Sequence, residues 1–420
     1  MIAIMFEGNY GGIDLDEIPK GNPGIGGSEY LLLQLFYYLS KDMQVLLLST
    51  DTHVSGKNTV YVRDDVEAIT MASQLKCEIF IFIPKERGQR FYTKLDQSTL
   101  KAVAWVHNYI SYQIIDYLEN CNAVKRVVFV GRQHYDSYID TELIGKATYI
   151  YNMVKKSAHE RMDIESKENI VTYVGALIPT KGFHKLAKVW KRVLKRVPDA
   201  QLYVVGSGAL YDRTSVLGKW NLAETGYEKK FMRYLTGEQQ ELLTSVHFMG
   251  HMGAEKEELL KKTKVGIANP TGKSETFCLS AVEYKAYGIP VISYRGYGLL
   301  DTVHDGKDGL LIKSPKDLIR AIVSLLTDNA ENKRLADYGY QVTSKEFDID
   351  IIIPKWKELL QEVRSNEPCT IQIPDSHWND DFKRIKYINY KLKKKWNGHW
   401  KSVSYCISYV KEWVKGCLSR

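Results

Sequence analysis

Long apolar runs are missing from this 420-residue sequence, which nowhere approaches the roughly 18 consecutive apolar residues that a membrane-spanning helix needs. The longest candidate, Leu31 to Leu39, is interrupted by Gln34 and by two tyrosines. The first residues, MIAIMFEGN, have neither the basic segment nor the long apolar segment of a secretory signal peptide. These absences argue against a membrane-spanning or secreted chain.

Cysteines are also few. The six thiols form no CxxC pair and show no spacing typical of a metal site. A disulfide-stapled domain is therefore excluded, and a reducing cytoplasm is the expected location. No metal site and no cofactor are predicted.

Acidic residues are scarce in the last part of the chain. Residues 381–420 hold eleven Lys or Arg and two acids, a net charge of +9, whereas the whole chain carries +8. Four of the eight tryptophans lie between residue 378 and the end. Residues 366–420 are therefore predicted to form a basic, aromatic tail that differs from the nearly neutral body.

The tail contains two apolar stripes at helical spacing. They are Phe382, Ile385, Ile388 and Leu392, followed by Val403, Ile407, Val410 and Val414. Basic residues beside aromatic ones suit a helix on an anionic membrane, so residues 381–420 are predicted to bind such a surface. Two helices packed on the body, with solvated lysines, are the close alternative. Nucleic acid is not expected as a partner, because no recognition motif supports it.

The body alternates between short apolar runs and segments with helical spacing. In its first half the predicted strands are Ile2–Phe6, Val45–Leu48, Ile79–Ile83, Val103–Val106, Val127–Val130 and Thr148–Tyr151. In its second half they are Ile170–Val174, Leu202–Val205, Val246–Phe248, Val265–Ala268, Val291–Ser293 and Leu310–Ile312. Runs that are apolar throughout suit parallel strands covered on both faces. The pattern predicts an α/β protein with two Rossmann-like doubly wound domains facing a cleft.

The domain boundaries follow from shifts in composition. Residues 1–152 form the first predicted domain, residues 153–168 a polar linker, and residues 169–345 the second domain. In open α/β sheets ligands bind outside the carboxyl ends of the strands. The loops at those ends are therefore where chemistry is expected.

The first such loop is the glycine turn GIGGSE, residues 24–29, before a predicted helix. Gly26 and Gly27 can bring backbone N–H groups close to an anion, where the helix dipole also favours negative charge. A flexible turn with a helix cap explains the same residues. About twenty residues separate this turn from the first strand, which argues against the GxGxxG motif of a nicotinamide dehydrogenase.

Lys181 lies in the second such loop, GALIPTKG, directly after a predicted strand and before a helix. A fixed ammonium group at that place can hold a diphosphate. A solvated lysine in a βα loop is the plain alternative.

Two glutamates stand eight residues apart in the segment NPTGKSETFCLSAVEYKAYGIP. Glu275 and Glu283 can meet different parts of one ligand, and carboxylates accept hydrogen bonds from sugar hydroxyls. The N–H groups of Thr276, Phe277 and Cys278 are predicted to open the helix and to hold phosphate. Two acids drawn to a helix start by its dipole explain Glu275 equally well, but Glu283 poorly.

Three other patterns carry less weight. Gly272-Lys-Ser274 imitates the end of a P-loop, but its glycine spacing is wrong, so an NTPase is rejected. Asp14-Leu-Asp16 imitates a metal-binding DxD motif, but a solvated loop is favoured. His107, in WVHN, ends a predicted buried strand on the side of the cleft, where structural and functional roles weigh about evenly.

These segments together resemble the retaining GT-B glycosyltransferases of family four, which include bacterial polysaccharide and lipid-glycan enzymes. ETFCLSAVEYKAYGIPVI with DGKDGLLI resembles the E-x7-E segment and downstream strand of that family, YVGALIPTKGF its lysine loop, and GIGGSEYLLLQL its glycine turn. The resemblance covers residues 1–364 and is densest over residues 170–315. Residues 346–365, with Trp356, resemble the family's helix that crosses back to the first domain.

The resemblance implies a role for each of these residues. Glu275 would contact the hydroxyls of the donor sugar, Glu283 would hold the ribose, and Lys181 would hold the diphosphate. Gly26 and Gly27 would offer backbone N–H groups to the phosphates.

His107 would contact the donor sugar near the reacting carbon, and the segment from Phe248 to Gly250 would receive the base. Two departures from the family pattern stand out. Ala176 replaces an arginine of the lysine loop, which removes one contact to the diphosphate. Cys278 replaces a glycine, which would alter the geometry around the donor.

The function implied is retaining, metal-independent transfer of a hexose from a nucleotide diphosphate sugar to a hydroxyl group of a glycan or lipid-linked acceptor. A UDP-sugar is favoured over a GDP-sugar, and no obvious general base stands opposite. A nucleotide-sugar epimerase on the same fold and an inactive, nucleotide-sugar-binding scaffold at the membrane are the alternatives. The expected location is the cytoplasm, including the inner face of the cell membrane.

Overall fold

A computed structural model describes residues 1–155, 163–208, 216–253, 255–272, 274–374, 378 and 382–418. Residues 156–162 of the predicted linker lie outside this description, as do Asp381, Arg420 and the side chains of Lys411 and Lys415 in the predicted membrane-binding tail.

The first domain is built on a parallel sheet of seven strands. The strands of the domain are β1 (Ile2–Phe6), β2 (Ile13–Asp14), β3 (Val45–Ser49), β4 (Val54–Ser55), β5 (Thr59–Tyr61), β6 (Ile79–Phe82), β7 (Lys101–Val106), β8 (Val124–Phe129) and β9 (Ala147–Tyr149), and all but β2 and β4 belong to this sheet. The order across the sheet is β5-β3-β1-β6-β7-β8-β9, and β2 pairs separately with β4. The central strands are buried along their length, as expected of a parallel sheet covered on both faces.

The helices of this domain are α1 (Gly27–Leu39), α2 (Asp65–Gln74), α3 (Gln89–Asp96), α4 (Tyr112–Asn120) and α5 (Arg132–Asp136). The first turns of α2 and α4 show why those two helices begin where they do. The Asp64 carboxylate accepts a hydrogen bond from the Glu67 N–H at 2.7 Å, and Ser111 caps α4 by accepting one from Ile114.

The second domain repeats the plan with six parallel strands. They are β10 (Ile170–Val174), β11 (Gln201–Val205), β12 (Val246–Gly250), β13 (Val265–Ala268), β14 (Val291–Tyr294) and β15 (Gly309–Ile312). Their order is β12-β11-β10-β13-β14-β15. Because β10 pairs directly with β13, Tyr173 opposite Ile267, the loops that follow these two strands lie side by side.

Helices of the second domain cover both faces of this sheet. They are α6 (Phe183–Leu194), α7 (Thr225–Leu235), α8 (Lys256–Lys262), α9 (Leu279–Ala286), α10 (Leu299–Thr302), α11 (Pro315–Thr327) and α12 (Asn329–Val342). The predicted architecture of two Rossmann-like parallel-sheet domains is confirmed.

A long helix, α13 (Ile349–Ser365), follows the second domain and packs on the first. Trp356 at its centre is fully buried, and its ring lies 4.8 Å from that of Trp105 on β7. The Lys101 ammonium donates a hydrogen bond to the Arg364 carbonyl at 2.6 Å. The apolar cluster under α13 also contains Phe277, so one core joins the two domains.

The tail forms two further helices, α14 (Lys383–Trp396) and α15 (Val403–Leu418), and α14 lies against the first domain. Three of its lysines face the body and its apolar stripe faces outward, which differs from the alternative of helices packed on the body with solvated lysines. Over the residues that the structure describes, no helix combines the length and the apolar character needed to cross a bilayer.

Candidate functional site

A cleft of about 960 Å³ separates the two domains at the carboxyl ends of their strands. The predicted site residues on its wall are Gly27, His107, Lys181, Glu275, Thr276, Phe277, Cys278 and Glu283. Within the described part of the chain, three predicted residues do not contribute to that wall, namely Gly26, Phe248 and Gly250. The structure thus brings most of the predicted residues to one place.

Lys181 and Glu275 form an ion pair on this wall. The Lys181 ammonium lies 2.8 Å from Glu275 Oε2, and the Asn269 amide donates a second hydrogen bond to the same oxygen at 2.7 Å. Both bonds fall on Oε2, so Oε1 can accept a hydrogen bond from a sugar hydroxyl. Asn269 was not predicted, although its position directly after β13 at the carboxyl edge of the sheet was the available signal.

The loop that carries Lys181 has a fixed shape. Gly182 adopts a left-handed φ of 78°, and a Cβ there would lie 2.3 Å from the Thr271 side chain. The Tyr173 hydroxyl donates a hydrogen bond to the Lys181 carbonyl at 3.0 Å. Glycine is therefore required for the close approach of the two loops that pair Lys181 with Glu275.

Glu283 lies on α9, and its carboxylate faces the cleft. Its Oε1 is 2.6 Å from the Lys256 ammonium on α8, another residue that the sequence analysis missed. Below it, Lys285 and Asp308 form a fully buried ion pair at 3.0 Å, which ties α9 to the loop before β15. This ion pair fixes the position of α9, and with it Glu283, relative to the sheet.

His107 is buried at the end of β7, and its ring packs on Trp105 with 4.3 Å between centroids. Burial lowers the pKa of its imidazole to about 3, so the ring is neutral at physiological pH. Nε2 has no hydrogen-bond partner among the described residues. The ring can therefore exchange hydrogen bonds with a ligand in the cleft, but it cannot supply a positive charge.

The segment between Glu275 and α9 connects the two domains. The Thr276 hydroxyl donates a hydrogen bond to the His107 carbonyl, and the Phe277 ring lies 5.7 Å from that of Phe347. Because α9 begins at Leu279 with Cys278 at its N-cap, Thr276 and Phe277 lie in the loop before the helix. The loop from Glu275 to Cys278 is thus fixed partly by the other domain.

Cys278 adopts φ −87°, a backbone conformation open to any residue, so the loss of the family glycine strains nothing here. Burial raises the pKa of its thiol to about 12, which keeps it protonated. Ala176 is buried on the wall of the cleft. The lysines that share this wall in the described residues are Lys20, Lys155, Lys181 and Lys256.

The glycine turn lies on the opposite side of the cleft. Helix α1 begins at Gly27 with Gly26 at its N-cap, and no side chain caps it. The Asn22 side chain accepts hydrogen bonds from the N–H groups of Gly24 and Ile25, both at 2.9 Å, which sets the turn. A Cβ on Gly27 would meet no atom within 4 Å, whereas a Cβ on Gly26 would lie 2.4 Å from a carboxylate oxygen of Glu29, so a ligand can approach the turn at Gly27 but meets that carboxylate at Gly26.

The segment predicted to receive the base, from Phe248 to Gly250, does not line the cleft. Phe248 is partly buried and packs against the apolar core, with its ring 5.8 Å from that of Phe183. The residues that line the cleft come just after it, from His251 to Gly253.

No group of three or more His, Cys, Asp or Glu side chains suited to a metal ion occurs among the residues that the structure describes. Asp14, of the DxD-like triplet, accepts a hydrogen bond from the Asp16 N–H at 2.9 Å and caps a short 3₁₀ turn. The triplet therefore has a local structural role.

The two domains and the cleft between them define a GT-B fold, as predicted. The chain is similar to a crystal structure of a glycosyltransferase from Rickettsia africae, with a TM-score of 0.67 and 13% identity over 87% of this chain and 99% of that one. It is also similar to Anabaena HepE in complex with UDP and glucose, with a TM-score of 0.63 and 16% identity over 86% of this chain and 100% of that one. These similarities establish the fold.

Sequence comparison points to a family within that fold. Residues 154–342 match the family model described as Glycosyl transferases group 1. A region of 192 residues is 28% identical to the D-inositol 3-phosphate glycosyltransferase of Corynebacterium urealyticum. The aligned region covers 44% of this chain and 41% of that protein. The chain spans about half the length of the curated relatives it matches.

Proposed function

We propose that the protein transfers a hexose from a nucleotide diphosphate sugar to a hydroxyl group of a glycan or lipid-linked acceptor, with retention of configuration. The observation that carries this proposal is the Lys181–Glu275 pair, braced by Asn269, on the wall of a cleft between two Rossmann-like domains. A cation and a sugar-binding carboxylate at this distance suit the two halves of a sugar phosphate.

Only a few protein groups take part in the proposed chemical step. The bond between the sugar C1 and the diphosphate oxygen breaks, the acceptor oxygen bonds to C1 from the same face, and the acceptor proton passes to the departing phosphate. Lys181 and the N-terminus of α1 at Gly27 stabilise the negative charge that develops on that phosphate. Glu275 Oε1 orients the sugar hydroxyls, and neutral His107 adds a hydrogen bond.

Glu283 is proposed to hold the ribose, with Lys256 orienting its carboxylate. Residues 251–253 are proposed to receive the base in place of Phe248 and Gly250. A UDP-sugar is the favoured donor, because the similar HepE structure contains UDP. The proposed acceptor, a hydroxyl group of a glycan or lipid-linked molecule, rests only on the resemblance of the sequence to the family.

Donor binding gives the first test. A thermal-shift panel of UDP-glucose, UDP-N-acetylglucosamine, GDP-mannose and ADP-glucose is expected to show stabilisation that is largest for a UDP-sugar. A ligand at a hundred times its Kd adds about 2.7 kcal/mol to the free energy of unfolding. Glu283→Gln should remove most of the shift, whereas Glu358→Gln, at an exposed position on α13, should keep it. No shift with any sugar nucleotide at millimolar concentration would contradict the proposal.

Metal independence is a separate prediction. We expect transfer to continue at an undiminished rate in excess chelator, because Lys181 supplies the charge that a divalent ion supplies in DxD enzymes. The measurement is release of nucleotide diphosphate with and without chelator. A complete loss that manganese restores would show that the reaction requires a bound metal ion.

Location is proposed with this function. A cytoplasmic enzyme at the inner face of the cell membrane would meet both a soluble sugar nucleotide and a lipid-linked acceptor. The basic, aromatic tail is the feature that supports membrane association.

A further inference from the structure

Helix α14 buries its charged side. The Lys383 ammonium lies 3.0 Å from Asp136 Oδ2, and Lys386 donates a hydrogen bond to the Ser137 carbonyl at 3.2 Å. Lys393 donates one to the Asp140 carbonyl at 3.0 Å. All three lysines are at least nine-tenths buried against the first domain. The side of α14 that a basic amphipathic helix would normally show to water is therefore committed to the body of the protein.

The opposite side of α14 is apolar and exposed. This apolar face consists of Phe382, Ile385, Ile388, Leu392 and Trp396, which are 54%, 53%, 50%, 36% and 63% exposed. The residues recur every three or four positions, so they form one continuous stripe along the helix. Such a stripe on a protein surface marks a contact site, since scattered apolar residues would not align.

Helix α15 also exposes apolar and aromatic side chains. Tyr409, Val410, Trp413 and Val414 are also exposed. Trp400, between the two helices, donates its indole N–H to the Asn389 side chain at 2.7 Å, which links the connecting turn to α14.

The charges around the apolar face have one sign. Residues 382–410 contain no Asp or Glu. With three lysines buried, the exposed cations in this stretch are Arg384, Lys391, Lys394, Lys395 and Lys401. Exposed tryptophans flanked by Lys and Arg are typical of the interfacial zone of a membrane.

We propose that the apolar face of α14 inserts into the interfacial region of a lipid bilayer, while its lysine side stays clamped to the first domain. A second copy of the chain is a poorer occupant, because two such faces would bring five cations on each against one another. Protein interfaces are also depleted in Lys, whereas a bilayer surface accepts it. The inference does not depend on the proposed transfer reaction.

The structure changes the way in which the tail is expected to bind a membrane. If the net charge of the tail drove binding, anionic lipid would be essential. Because three of the tail lysines are engaged with Asp136, Ser137 and Asp140, apolar insertion should carry most of the binding. The protein should therefore bind neutral bilayers as well, and anionic lipid should only strengthen the binding.

The test uses the full chain and co-sedimentation with vesicles of phosphatidylcholine alone or mixed with phosphatidylglycerol. One variant carries Ile385→Ser, Ile388→Ser and Leu392→Ser, and its matched control carries Lys391→Gln, Lys394→Gln and Lys395→Gln. The serine variant is expected to bind both vesicles about tenfold or more weakly. The glutamine variant should weaken several-fold on the anionic vesicles only and keep its binding to phosphatidylcholine. All six positions are exposed, so both variants should unfold at the wild-type temperature.

Four results would overturn the proposal. The wild-type protein could bind neither vesicle, or the serine variant could bind both as the wild type does. Binding confined to anionic vesicles and lost only in the glutamine variant would assign the contact to charge. A concentration-dependent dimer that the serine variant abolishes, with no vesicle binding, would assign the apolar face to a second copy of the chain.

Discussion

Replacing Glu275 by glutamine is expected to lower kcat/KM for sugar transfer about a thousandfold, or roughly 4 kcal/mol of transition-state stabilisation. Glutamine fills the same volume but carries no charge. Its amide oxygen can still accept the hydrogen bonds from Lys181 and Asn269, but the NH₂ group that replaces Oε1 cannot accept one from a sugar hydroxyl, and the charge that attracts Lys181 is lost. One substitution therefore disturbs both the orientation of the sugar and the charge opposite the leaving phosphate.

The matched comparison is Glu283→Gln, on the same wall of the cleft. Ribose contacts are similar in the ground and transition states, so this change should raise KM for the donor and leave kcat nearly unchanged. Both parameters are to be measured for both variants, with thermal unfolding to confirm that each folds. Wild-type kcat in Glu275→Gln would refute the assignment of the site, whatever Glu283→Gln does.

The strands were predictable because parallel strands covered on both faces must be apolar throughout. Ile2–Phe6 and Val265–Ala268 match the structure residue for residue. The elements that the sequence pattern missed are short or polar. The edge strand β5 is only half-buried, and α3 contains three charged residues in eight, so neither gives a clear apolar period.

The functional loops could be recognised one at a time, but not the contacts between them. Lys181 and Glu275 meet because β10 pairs with β13, although β11 and β12 come between them in the chain. That neighbour relation belongs to the topology of the sheet and is not encoded locally. The pairing of Glu283 with Lys256 depends in the same way on how α8 and α9 pack.

The tail shows a second limit of sequence patterns. A helical stripe predicts that a helix has an apolar side, but it does not determine which side packs on the body. Here the deciding groups are Asp136 and Asp140, which are far from the tail in the chain and fully buried beneath it. Buried carboxylates require partners, and Lys383 meets that requirement better than an apolar side chain could.

The contribution of Asp301 to stability should fall as the pH rises from about 4 to 7. This residue is buried between the domains, where its Oδ2 accepts a hydrogen bond from the Gln133 N–H at 2.8 Å. Burial raises the pKa of its carboxyl group from 3.8 to about 7. Between those values the folded protein holds a proton on Asp301 that the unfolded chain has released, so each rise in pH reduces the contribution of this residue to the free energy of unfolding. A shift of this size corresponds to about 4 kcal/mol at most.

Asp301→Asn removes the charge and keeps an oxygen that can accept the Gln133 hydrogen bond. We expect the variant to exceed the wild type in free energy of unfolding by about 2 to 4 kcal/mol at pH 8 and to match it near pH 4. The measurement is urea unfolding across this pH range. The control is Asp350→Asn, at an exposed site on α13, which should change the free energy of unfolding only slightly and by the same amount at every pH. An advantage that does not grow with pH, or a variant less stable than the wild type at pH 8, would mean that Asp301 is charged in the folded protein. In that case the contact between Asp301 and Gln133 would hold the domains together as a charge-assisted hydrogen bond, and raising the pH would not loosen it.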